Sequence, residues 1–197
     1  ELAPIAERAP KDKRPVLEAL IARSGLPAAA FDRYETWAAA VLLVGVMLQQ
    51  ADFGAENGVE AELEGIFREA GKPIDELETI EQQLGIFDSL SEADQRRFLV
   101  ASLDDPAALA RELDDLFELW KTGDEAAIGV KFDEELRQDP KLRKALLTTR
   151  NATWAVDIAK RLDTPGTVLV AVGAGHLAGP DSVQAILTRN GLTVTRL

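Results

Sequence analysis

A chain of 197 residues with 34 acidic and 22 basic side chains carries a formal charge of −12, which argues against a nucleic-acid backbone or an anionic membrane surface as its partner. It contains no cysteine, so disulfides, thiolate metal sites and cysteine nucleophiles are all excluded. The length suffices for one sizeable core, and the longest apolar run, residues 37–48, is too short to span a bilayer, so no transmembrane segment is expected.

Residues 1–13 are polar with scattered alanine and proline and read as a loosely held lead-in. The chain opens at Glu1 and not at a methionine, which predicts a processed precursor or a trimmed chain. Helical periodicity begins near Pro15, with Val16, Leu17, Leu20 and Ile21 on one face and Gly25 as the stop. After Pro27 a single longer helix is expected through Phe31, Tyr34, Trp37, Val41, Val44 and Leu48. Its second half is apolar nearly all round, which predicts a central position. Gly54 and Asn57-Gly58 break it, and Val59, Leu63, Ile66, Phe67 and Ala70 form the next amphipathic stripe, closed by Gly71.

The segment Lys72 to Leu77 reads as extended and as a doubtful strand. Thr79 with Gln82 three residues on is a capping-box pattern opening a helix that contains Leu84 and Phe87. This places Glu78 at a strand-to-helix corner. Ser91 and Asp94 mark another start. Asp105-Pro106 opens a helix with Leu109, Leu113, Leu116, Phe117 and Trp120 on one face, ended by Gly123. Asp124 opens a helix carrying Ile128, Phe132 and Leu136. Asp139-Pro140 opens the last long one, through Leu142, Leu146, Trp154 and Ile158.

The turn Asp163 to Gly166 leads into an unbroken apolar run, Val168 to Val172, which suits a strand buried on both faces. A glycine-dense loop with His176 follows. Asp181 is the expected cap of a helix containing Val183, Ile186 and Leu187, Asn190-Gly191 its end, and Leu192 to Leu197 a returning strand. The fold class expected is therefore α/β: predominantly helical, with a small, incomplete sheet and a C-terminal βαβ unit. Two firm strands are too few for a stable sheet, so a missing upstream segment, another chain or unusually complete helical cover must complete it. An unpaired sheet edge also offers a route to a homo-oligomer.

His176 leads the residues that can carry chemistry, since a neutral imidazole ligates metals and accepts protons near neutral pH. A lone histidine also serves purely structural ends. Gly173, Gly175 and Gly179 around it permit positive φ and close approach of a ligand, which marks residues 173–180 as a candidate ligand loop. A nucleotide loop is rejected because the lysine and the G-x-G-x-x-G spacing are lacking. Glu78 is the second candidate, as a metal ligand or general base, against the plain alternative of an acid favoured by a helix dipole. Arg150 and Asn151 either orient a carboxylate, bind a substrate oxygen, or belong to a structural network. The acidic runs at 112–118 and 133–135 read as solvated helix faces. With one histidine and no serine in a nucleophile-elbow setting, a Ser-His-Asp hydrolase or a multi-histidine zinc site built from this chain alone is excluded.

The ordered set NGVEAEL (57–63), GKPIDELET with Gln82-Gln83 (71–83), Trp120 with Gly123-Asp124, Arg150-Asn151 with Trp154, and VGAGHLAGPDSV (172–183) resembles the TraB/GumN family. That group includes the Tiki proteases, metal-dependent enzymes that cleave Wnt proteins, and bacterial proteins linked to pheromone shutdown and polysaccharide gene clusters. The resemblance implies a pair of G-x-x-H motifs and an important glutamate. Gly173 to His176 matches the second G-x-x-H, Glu78 is the candidate acid, and Glu60 keeps a carboxylate where relatives have Asp. The first G-x-x-H is absent from this chain.

The resemblance therefore implies a single TraB/GumN-like domain over residues 1–197, shortened at its amino terminus, and a metal-dependent hydrolase or peptidase with an incomplete site. His176, Glu78 and Glu60 would be the metal ligands, Glu78 alternatively the general base, and Arg150 and Asn151 supporting or oxyanion partners. The implied cofactor is a divalent ion (Mn, Co or Zn), the implied substrate a peptide or protein, and the expected location periplasmic or otherwise extracytoplasmic. The rival expectation is a non-catalytic regulatory domain whose 173–180 loop holds a small ligand or a protein. In the blandest reading, the loop merely ends a strand.

Overall fold

The computed structural model describes residues 2–50, 58–103, 106–136 and 139–196. The described residues form helices joined by turns and extended segments, and they fall into two compact units, Glu1–Glu112 and Leu113–Leu197. Gly54, Asn57, Asp105 and Leu197, which figure in the expectations above, lie outside the described residues.

The first unit begins with α1 (Ile5–Arg8) and α2 (Arg14–Arg23), followed by α3 (Ala28–Phe31) and α4 (Thr36–Gln50). The lead-in expected at residues 1–13 is anchored: Ile5, Arg8 and Ala9 are buried. The Arg8 guanidinium explains why. It donates to the carbonyls of Ala3 (2.7 Å), Tyr34 (2.6 Å) and Asp32 (2.8 Å) and to the Thr36 hydroxyl (3.3 Å). The Thr36 hydroxyl in turn donates to the Glu92 carboxylate, which also pairs with Arg96. Burial pulls the Arg8 guanidinium below its ordinary pKa, and the negative charges of Glu92 and Asp32 oppose that shift.

The single helix expected from Pro27 onward is two helices, because the chain turns at residues 32–35. The Asp32 carboxylate accepts the Ile5 N–H at 2.7 Å there, and the Tyr34 carbonyl is spent on Arg8 instead of continuing a helical ladder. The buried stripe on α4 is Thr36, Ala39, Ala40, Leu43 and Met47, at the three- and four-residue spacing of one helical face. The helix lies in the core as its composition predicts, but only on this face: Val41 and Leu42 are exposed. A core joins this stripe to Ile5, Leu17, Leu20, Ile21, Phe31, Leu99 and Leu103.

Next come α5 (Val59–Glu69), α6 (Ile80–Asp88), α7 (Glu92–Ala101) and α8 (Pro106–Thr122), within which the two units divide. The capping box at Thr79 and Gln82 forms as the pattern predicts, and Ser91 caps α7 through the Asp94 N–H. Buried Gln95 of α7 reaches across to the amino end of α4. Its side-chain oxygen accepts the Trp37 N–H at 3.1 Å while its amide donates to the Leu90 carbonyl at 3.1 Å. Trp37, Phe87 and Phe98 form a continuous ring cluster beside it.

The second unit continues through α9 (Glu125–Leu136), α10 (Pro140–Arg143), a π turn (Lys144–Thr148), α11 (Thr149–Leu162), a 3-10 turn (Ala174–Leu177) and α12 (Val183–Arg189). No strand occurs among the described residues. The α/β class, the small sheet and the C-terminal βαβ unit are therefore corrected to a helical architecture. Residues 72–76, 167–173 and 192–196 take no regular structure. The physical reason lies in the ladder: an apolar, β-branched run satisfies the side-chain pattern of a strand, but a strand exists only when another backbone pairs with it. Val168, Leu169 and Val170 stand 43%, 55% and 37% exposed. The expected homo-oligomer contact through a sheet edge loses its basis for the same reason. No helix among the described residues is long and apolar enough to cross a membrane.

Candidate functional site

The candidate residues of the second unit gather around α11. Asp139 caps α10 by accepting the Leu142 N–H at 3.0 Å, with Pro140 in the first helical position. The π turn that follows inserts extra backbone into the helical path and so resets which side chains face inward. As α11 leaves that turn, Asn151, Trp154 and Ala155 occupy its buried face, at spacings of three and four.

The 3-10 turn delivers His176 to this face, closed by the His176 N–H donating to the Gly173 carbonyl at 2.9 Å. His176 Nδ1 lies 2.6 Å from Asn151 Oδ1. The Asn151 amide nitrogen donates to the Asp181 carbonyl at 2.8 Å. The Asp181 carboxylate is in turn paired with Arg143 at 2.9 Å. Asp181 is thus not the cap of α12. Ser182 takes that role, accepting the Ala185 N–H at 3.3 Å, which frees the Asp181 side chain to tie the loop to the end of α10.

The Trp154 ring packs on the imidazole with centroids 4.5 Å apart and planes at 47°. The same indole carries the Arg150 guanidinium, 4.8 Å from its centroid, and Arg150 also donates to the Leu146 carbonyl at 3.0 Å. Helix α9 closes the loop through small residues. A Cβ on Gly175 would lie 3.1 Å from two Phe132 ring carbons, and one on Gly129 would lie 3.2 Å from Ala178 Cβ and the Gly179 nitrogen. A side chain at either position would require its neighbours to shift by a few tenths of an ångström. Gly179 has φ of +77°. Gln184 holds the Leu177 carbonyl.

His176, Asn151, Arg150, Gly173, Gly175 and Gly179 thus belong to one neighbourhood in the second unit. Glu78 and Glu60 belong to the first unit. Glu78 is half-buried just ahead of the Thr79 cap, and Glu60 is exposed in the first turn of α5. Among the described residues there is no group of three or more His, Cys, Asp or Glu side chains that could hold a metal ion. His176, Glu78 and Glu60 are therefore not members of such a group, and no chemical step is assigned to a metal ion.

Phe132, Arg143, Trp154 and Ser182 were not expected at the site. The spacing of R-N-x-x-W carries a signal for Trp154, because it sets Asn151 and Trp154 on one helical face. Arg143 and Phe132 arrive by tertiary packing and leave none.

The family model described as the TraB/PrgY/gumN family matches residues 3–196. The chain is similar to the uncharacterized protein YbaP of Escherichia coli (strain K12), with 25% identity over 187 residues covering 93% of this chain and 67% of that protein. The uncharacterized protein YbaP of Shigella flexneri matches to the same degree, with 25% identity over 187 residues. No solved structure matches the chain.

Proposed function

Because the chain belongs to the TraB/PrgY/gumN family, we propose that its working site is the loop of residues 173–180 and that this loop serves hydrolysis of a peptide or protein, with His176 as the proton-accepting group. One observation carries the reading: the imidazole, half-buried against Trp154, is held at 2.6 Å by the Asn151 side chain. The bond suits a general base, which must present one ring nitrogen in a fixed direction. Arg150, spread over the Trp154 face, is a guanidinium held beside the site and suited to a substrate carbonyl or carboxylate oxygen.

The test is cleavage of a mixed peptide pool, followed by mass spectrometry, with the intact chain and with His176→Ala. Cleavage that disappears in the variant supports the reading. Cleavage that persists unchanged overturns it. A second reading, a non-catalytic module that binds a peptide at the same loop, is favoured by the Arg150 guanidinium held over the Trp154 ring, which suits a peptide carboxylate. Saturable peptide binding without cleavage, weakened by Arg150→Ala, distinguishes it.

A further inference from the structure

We infer that Asn151 is a positioning residue that fixes the tautomer of His176, holding the proton on Nδ1 and placing the lone pair on Nε2. The inference takes its functional meaning from the hydrolase reading above, but its chemistry stands on the hydrogen-bond chain alone. That chain is anchored at a group with only one possible role. The Asp181 carbonyl can accept and cannot donate, so the Asn151 atom 2.8 Å from it must be the amide nitrogen. The other end of the same amide is then its oxygen, and this is the atom 2.6 Å from His176 Nδ1. An amide oxygen also only accepts, so Nδ1 must carry the hydrogen. In a neutral imidazole one nitrogen donates and the other holds a lone pair, so Nε2 is the basic atom.

The direction of the Asp181 carbonyl is itself secured from both sides of the residue. The Asp181 carboxylate is paired with Arg143, and the next residue, Ser182, is the buried cap of α12. The side chains on both sides of this carbonyl are thus tied down. The tautomer of His176 is therefore set by a path that runs from Arg143 through Asp181 and Asn151, and the side chains along it need not touch a substrate.

The chain contains a single histidine, so the tautomer can be read without assignment ambiguity. Long-range proton–nitrogen correlation spectra of the uniformly labelled full chain, taken at about pH 9 and well above the ordinary histidine pKa of roughly 6.5, separate the two neutral forms by the shifts of their ring nitrogens. The wild type should show Nδ1–H, and Asn151→Ala should move the population toward the Nε2–H form that a solvated imidazole prefers. Asn151→Asp offers Nδ1 an acceptor but loses the N–H that the Asp181 carbonyl accepts, so it should hold Nδ1–H less completely than the wild type.

A wild type in the Nε2–H form overturns the inference, as does an Asn151→Ala spectrum that still shows Nδ1–H. If Asn151→Ala does not fold, the wild-type spectrum decides, and Nε2–H in it overturns the inference. Failure of the hydrolase reading looks different: no peptide is cleaved, yet Nδ1–H is observed and responds to Asn151.

Discussion

Gly175 lies beneath the ring of Phe132, so close that a Cβ placed on it would meet Cε2 and Cζ at 3.1 Å and Cε1 at 3.2 Å. Three carbons of one rigid ring are met at once, so no single flexible atom can swing aside. Gly175→Ala should therefore force Phe132 or the 3-10 turn to shift and lower stability by about 1–2 kcal/mol. Urea unfolding followed by tryptophan fluorescence measures this. The paired variant Gly175→Ala with Phe132→Leu should recover part of the loss, and a single variant as stable as the wild type would disprove the close packing.

Arg8 is buried, with its guanidinium spent on three carbonyls and a hydroxyl. Removing it strips several acceptors of their donor at once. Arg8→Ala should cost on the order of 2–3 kcal/mol, and Arg8→Lys should recover only a fraction because an ammonium cannot reproduce the planar fork. Chemical denaturation of both variants checks the order.

Gln95 is the cap of α4 supplied from a different helix. Gln95→Ala leaves the Trp37 N–H and the Leu90 carbonyl without their partner, and a loss of about 1–2 kcal/mol is expected. Amide exchange at Trp37 should accelerate well beyond that of residues deeper in the helix. Unchanged protection there would show that the bond does not hold in solution.

At the start of α6, Thr79 accepts the Gln82 N–H at 3.2 Å, and the Gln82 side chain accepts the Thr79 N–H at 2.8 Å. The Glu81 carboxyl is held below its ordinary pKa first by its own backbone N–H and then by the Thr79 side chain. A lowered carboxyl pKa contributes stability that is present above the ordinary glutamate range and is lost as pH falls through the lowered value. Thr79→Ala should cost about 1 kcal/mol as a lost cap and should raise the Glu81 pKa toward its usual value. Carbon-detected titration of the Glu81 carboxyl reads the second effect, which a purely steric role for Thr79 would leave unmoved.

Helix boundaries were legible wherever a local rule decides them. The caps at Thr79, Ser91 and Asp139 and the closing glycine of α12 use only neighbours within a few residues. At that closing turn the Leu192 N–H reaches back to the Leu187 carbonyl at 3.1 Å while Gly191 takes φ of +88°. The cap of α12 was misread by one residue because Asp181 and Ser182 have equal capping chemistry, and only the Arg143 side chain arriving from α10 decides between them.

The break between α3 and α4 was not legible, since it depends on Arg8 claiming the Tyr34 carbonyl from 26 positions away in the chain. The strand expected at Val168 to Val172 fails on the same principle from the other side. Its side-chain pattern is local, but its existence depends on a partner backbone, and no strand forms among the described residues.

By itself the sequence determined the acidic, cysteine-free character, most helix starts and stops, the resemblance to TraB/GumN proteins, and the singling out of His176, Arg150 and Asn151. These follow from residue identity and from spacings shorter than a helical turn or two. Only the tertiary structure decided which face of α4 is buried, that the polar start of the chain is anchored, and that Asn151 holds His176 while Asp181 holds Asn151. Those outcomes depend on which donors and acceptors meet across 25 and 30 residues of chain, and hydrogen-bond pairing at that range is settled by packing, for which linear spacing carries no signal.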